Sequence, residues 1–173
     1  MKEGSEMSGD QLALPQDGTS PLSAAIAGIN PADFVTVRIS RLARLLSRQT
    51  KQELHALYGL SLAEWRCISN LATHGPMSSA DLCRRLDYDR AQISRIIAHL
   101  DNEGVVSKPP STTKAAPVVL TSKGEALYQK VLPWSRERQE RLMNLLTPEQ
   151  RKALDEGLRI LMKGVSEQMG DEA

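Results

Sequence analysis

Aromatic side chains are scarce: one Phe, two Trp and three Tyr, together 3% of the 173 residues. A core must therefore be built from Leu, Ile, Val and Ala, and these recur at helical spacing, which predicts a mainly α body. Cysteine is almost as rare. Cys67 and Cys83 are the only two, they form no CxxC pair, and each lies within an apolar-periodic helix. No disulfide framework is expected, and both read as small apolar packers. His55, His74 and His99 share no ligand spacing with one another or with the cysteines, so neither a metal nor a cofactor is expected. No apolar run approaches membrane-spanning length and no charged segment leads into a hydrophobic one at the start, which makes the cytoplasm the expected location. The chain also lacks a Gly-rich phosphate loop, a Ser/His/Asp spacing and paired carboxylates in an apolar frame, so catalysis is not expected.

Charge of one sign is lacking too, since the formal net is +1, but the balance conceals an asymmetry. Met1 to Asp33 carries one Lys against five acidic residues, a net of −4, which leaves +5 for the remainder. A mildly basic folded part suits contact with DNA through a patch and argues against indiscriminate polyanion binding. Residues 1–30 mix Gly, Ser, Pro, Asp and Ala with no sustained period. They predict a flexible acidic extension, in which Leu22 to Ile29 is the one stretch apolar enough to pack on the body. Such a tail has the charge to compete with DNA for the basic surface.

From Pro31 the periodicity is helical. Val35, Ile39, Leu42 and Leu46 recur at four, three and four residues, predicting an amphipathic helix that reaches Tyr58 and stops at Gly59. Arg38, Arg41, Arg44 and Arg48 fall together on the other face, either as a solvated basic surface or as an anion site. Ser61 with Glu64 three residues on is a capping-box signature, opening a second helix that runs to His74 with Trp65, Ile68 and Leu71 inward. Ser78 or Ser79 caps a third helix with Leu82, Cys83 and Leu86 inward. Asp89 caps a fourth, ending near Glu103 and Gly104, whose core face is Ile93, Ile96, Ile97 and Leu100. Two extended runs follow, Val105 to Lys108 and Pro117 to Leu120, with Pro109 and Pro110 suited only to an edge or loop. Thr121 caps a fifth helix to about Leu146, with a kink expected at Pro133. Thr147, Pro148 and Gln150 form another strong helix start, and Leu154, Leu158, Leu161 and Val165 then make a stripe suited to burial on another helix, including one of a second subunit.

Within this order, a short helix, a tight turn, a helix with a polar outer face and two strands make a helix-turn-helix with a β-hairpin, a form whose second helix fits the major groove. The run GLSLAEWRCISNLATHGPMSSADLCRRLDYDRAQISRIIAHLDNEGVVSK, followed by LTSKGEAL, resembles the MarR family of winged helix-turn-helix regulators over about Pro31 to Gln168. The match joins several separate parts, among them the Glu-Trp-Arg helix, the His-Gly-Pro turn, the Leu-Asp-Tyr-Asp turn and the Leu-Thr-Ser-Lys-Gly start of helix five. The resemblance implies a winged helix-turn-helix at about 61–121 and a helical dimerisation region at about 31–58 and 122–168. It also implies a homodimeric repressor on a pseudo-palindromic operator, released by a small ligand such as an aromatic acid or a CoA thioester, or by an oxidant.

Carried over by position, the DNA-contacting residues are Ser78, Ser79, Arg90, Ala91, Gln92, Ser94 and Arg95. Gln pairs bidentately with adenine, Arg with guanine or phosphate, and helix-terminal N–H groups with phosphate. The wing departs from the family pattern. Where the family carries Asp-x-Arg, this chain has Ser111 to Pro117 and no arginine between Lys108 and Leu120. Lys114 is the remaining candidate, a point charge without the planar fork that suits a narrow groove. Arg38, Arg41, Trp65 and Arg66 correspond to the family's ligand region, with surface charge and a core Trp as the plainer account of them. Oxidant sensing is disfavoured, because the family's peroxide sensors place a cysteine near the start of the first helix and this chain has none there. A protein-interaction module with weakened DNA binding is the alternative function that the altered wing raises.

Overall fold

The computed structural model describes residues 30–108 and 116–170. Residues 1–29 of the predicted extension, Lys114 of the wing tip, and Pro109 and Pro110 lie outside the described residues. The order is a 3-10 turn (Pro31–Asp33), α1 (Val35–Tyr58), α2 (Leu62–His74), α3 (Ser79–Leu86), α4 (Arg90–Asn102), β1 (Val106–Ser107), β2 (Val119–Leu120), α5 (Ser122–Met143) and α6 (Pro148–Met169). The chain divides into two compact units, one ending at Gln49 and one beginning at Thr50, so that the boundary falls within α1.

In the first unit, Asn30 caps the 3-10 turn by accepting from the Ala32 N–H. Arg38 reaches back to Asp33 at 3.2 Å. Val35, Val37, Ile39, Leu42 and Leu45 stand exposed along α1.

In the second unit, the helix starts follow the cap chemistry expected of them. Ser61 and Glu64 form the full capping box on α2, and Thr147 and Gln150 form the one on α6. Ser78, not Ser79, caps α3, and Asp89 and Thr121 cap α4 and α5. Each side-chain oxygen satisfies an N–H that the first helical turn leaves without a partner. Gly59 ends α1 with φ of 68°, donating to the His55 carbonyl. That left-handed conformation costs a residue with a Cβ, which is why glycine serves as the stop. The helix α5 is unbroken at Pro133, which therefore removes one hydrogen bond without ending the helix.

The core is aliphatic, with Leu54, Ile68, Leu82, Ile93, Leu100, Val106, Val118 and Val131 fully buried. The strands are shorter than the extended runs predict, pairing antiparallel in the register Val106 with Leu120 and Ser107 with Val119. A further bridge joins Met77 to Val118, through N–H to carbonyl bonds of 3.1 and 2.7 Å. The return strand is thus fastened on one side to β1 and on the other to the segment just before α3. Gly124 makes the next junction possible, because a Cβ there would run into the Val105 carbonyl oxygen.

Candidate nucleic-acid interface

The geometry starts at the turn between α3 and α4. Asp87 closes α3 in the left-handed region, φ 53° and ψ 48°, and its N–H donates to the Cys83 carbonyl. Asp tolerates this region better than most residues with a Cβ, and the conformation turns the chain within Asp87, Tyr88 and Asp89. Asp89 then accepts from the Gln92 N–H at 2.7 Å and starts α4. One face of α4 is buried, through Ile93, Ile96, Ile97 and Leu100. Its other face presents Arg90, Ala91, Ser94 and Arg95 exposed, with Gln92 half-buried at the edge. The α4 members of the sequence-derived set thus lie outside its buried face, at the end of the helix whose dipole is positive.

Ser78 and Ser79 are half-buried at the start of α3. The Ser78 hydroxyl accepts from the Asp81 N–H at 3.1 Å and donates to the Asp81 carboxylate at 2.6 Å. Arg84 closes on the same carboxylate, and the Ser78 hydrogen bond followed by Arg84 holds the Asp81 carboxyl below its usual range. Arg85 lies 3.2 Å from the His74 ring. This basic last turn of α3 adjoins the turn that carries α4.

The predicted ligand residues fall in both units. Arg38 and Arg41 are exposed in the first unit, while Trp65 and Arg66 belong to the second. Trp65 is buried and stacks on Tyr128, ring centroids 5.7 Å apart and planes 20° from parallel. Arg66 donates to the Tyr88 hydroxyl at 3.1 Å. Sequence reasoning missed a cavity of about 550 Å³ between the end of α2, β2 and the start of α5, lined by Leu71, Pro76, Leu120, Glu125 and Tyr128 among others. None of the four predicted ligand residues lines it. It also missed the contact between Glu64 of α2 and His99 of α4, 3.2 Å from Oε1 to Nε2. No local pattern announces a pair so far apart in the chain.

Cys67 is fully buried, and burial pushes its thiol up to about 11. Cys83 is half-buried against the core. Among the described residues no cluster of His, Cys, Asp and Glu has the arrangement of a metal site, and no helix is long and apolar enough to cross a membrane.

Comparison with known proteins gives a consistent result. Residues 58–115 match the MarR family. The HTH-type transcriptional repressor Rv2887 of Mycobacterium tuberculosis is 29% identical over 115 residues, spanning 65% of this chain and 82% of that protein. Its structure in complex with DNA superimposes with a TM-score of 0.61 at 25% identity, covering 74% of this chain and 97% of the other. Its complex with salicylic acid gives 0.60 at 26% identity, covering 75% and 98%. A MarR/EmrR family regulator from Acinetobacter sp. ADP1 shares the fold with a TM-score of 0.73 at 23% identity, over 80% of this chain and 99% of that one.

Proposed function

Because this chain belongs to the MarR family of winged helix-turn-helix regulators, we propose that it is a homodimeric, ligand-responsive transcriptional regulator that reads duplex DNA with α4. The observation that carries this is the two-sided character of α4, aliphatic and buried within, with Arg90, Gln92, Ser94 and Arg95 on the outer side. Arg95 and Gln92 supply base-edge chemistry, and Arg90 with the α3 start at Ser78 and Ser79 supplies phosphate contacts. Ala91 is small enough to let the helix approach the groove, and Lys114 is the wing's remaining cation. The Rv2887 complex with DNA supports the same role for this fold.

The dimerisation region is assigned to about 31–58 and 122–168, the winged part to about 61–121, and residues 1–30 to an appended acidic extension. The Rv2887 complex with salicylic acid supports an aromatic acid as the effector class. Arg66, with Trp65 beside it in sequence, is the candidate cation of the second unit for its carboxylate, and Arg38 and Arg41 are the candidates of the first. The working location is the compartment that holds the DNA, the cytoplasm.

The test is selection of duplexes from a random pool, with affinities by fluorescence anisotropy. A dimeric reader selects a palindrome with half-sites about one helical turn apart. Arg95→Ala then costs roughly 1–3 kcal/mol and relaxes the preference at one position. Weak binding that ignores sequence would instead favour the protein-interaction module that the arginine-free wing raises.

A further inference from the structure

The first turn of α2 sends three consecutive side chains to three places. Glu64 accepts from the Ser61 N–H through Oε2 at 2.7 Å, completing the cap, and meets His99 Nε2 through Oε1 at 3.2 Å. Its side chain is only 13% exposed, so this carboxylate is held between its own helix start and the last turn of α4. Trp65 points into the core, onto Tyr128 of α5. Arg66 reaches the hydroxyl of Tyr88, the residue before the α4 cap. Residues two apart on a helix project about 200° from each other, so Glu64 and Arg66 leave α2 on opposite sides. They meet the reading helix at its two ends.

We propose that Glu64 and Arg66 are positioning residues for α4, setting the angle at which Arg90 to Arg95 meet the groove. The proposal rests on the reading of α4 as the DNA-contacting helix and adds the device that orients it. Neither pair is needed to bury the apolar face of α4, because Ile93, Ile96, Ile97 and Leu100 do that. Apolar contact is non-directional and leaves rotation and tilt weakly specified, whereas hydrogen bonds at the two ends define both. His99 lies one turn beyond Arg95 on the same side of α4, so the Glu64 contact sits at the rim of the reading surface. The Arg66 contact is the weaker end, a bond to a neutral phenol oxygen.

The experiment compares wild type, Tyr88→Phe, His99→Ala, Arg66→Ala and Arg66→Lys on a selected operator and on random duplex. Melting temperature, salt dependence and amide hydrogen exchange along α4 are recorded alongside. Tyr88→Phe, His99→Ala and Arg66→Ala are each expected to weaken operator binding about three- to ten-fold, the scale of one lost hydrogen bond. Random-duplex affinity and the salt slope should hold, because the phosphate contacts are intact. Arg66→Lys, which still donates to Tyr88, should recover most of the loss. Exchange should quicken at the start of α4 in Tyr88→Phe and at its end in His99→Ala. A merely structural role would lower operator and random-duplex binding in equal proportion, together with melting temperature, and that result would overturn the proposal. So would variants that match wild type in operator affinity. A wild type with no preferred duplex would refute the DNA-reading role itself, whatever α4 exchange shows, and is recognised before any variant is compared.

Discussion

At the residue scale, the same side-chain chemistry has opposite consequences in different surroundings. Cys67 is enclosed and its thiol is raised to about 11, while Cys83 is half-buried. Thiolate is the reactive form, and the fraction present at neutral pH falls tenfold for each unit of upward shift. Native protein should therefore take up a thiol reagent such as dithionitrobenzoate at Cys83 alone, with Cys67 reacting only in denaturant. Equal rates would contradict the burial. Asp81 illustrates the converse, a carboxyl held low by Ser78 and then Arg84. Because its value in the folded chain lies below the unfolded one, its contribution to stability is present above the ordinary carboxylate range and is lost as pH falls through the folded value. The melting temperature of Asp81→Asn should fall below wild type at pH 7, and the difference should vanish on acidification towards pH 2. Much at this scale was legible beforehand. The Ser61 and Glu64 box and the Asp89 and Thr147 caps stand in the structure as their sequence signatures imply, because capping joins residues three apart and needs no knowledge of the fold.

At the scale of elements, the junction of α5 with the wing depends on a single missing methyl group. The Thr121 N–H donates to the Val105 carbonyl at 3.1 Å, and Gly124 lets α5 start against that same carbonyl. Gly124→Ala normally favours a helix, yet here the added carbon meets backbone, which cannot turn aside as a side chain would. Overpacking of this kind costs about 1–3 kcal/mol, measurable by urea unfolding, and a gain in stability would show that the approach is looser than described. Element order was readable from period and punctuation, whereas element length was less so. The wing strands are two residues each, and the return strand is also bridged to Met77, a partner that no local pattern reveals. The helix expected to run through Pro133 does so, α5 continuing past it despite the missing donor.

At the scale of the whole molecule, α1 and α6 leave apolar surface uncovered. Leu154, Leu158, Leu161 and Val165 are 41, 38, 51 and 53% exposed, and Val35 is 63% exposed. The stripe on α6 has the spacing of a helix that buries one face, and in the proposed homodimer the covering surface is a second copy. Leu158→Glu with Leu161→Glu should then give a monomer by light scattering, with operator affinity reduced at least a hundredfold because both half-sites are no longer held together. A double variant that stays dimeric would move the interface elsewhere.

The sequence by itself determined what depends on near neighbours: helix periods, caps, stops, the aliphatic core face of α4, and the helix-turn-helix with its resemblance to a family of regulators. These follow from hydrogen bonds and side-chain directions repeated every three or four residues, which any stretch of chain expresses alone. Only the tertiary structure decided which distant groups meet. Glu64 and His99, Arg66 and Tyr88, Trp65 and Tyr128, and Met77 and Val118 join elements whose separation in sequence carries no signal. Their partners are chosen when aliphatic burial brings the helices together, and the directional bonds formed then define the orientation that burial leaves free.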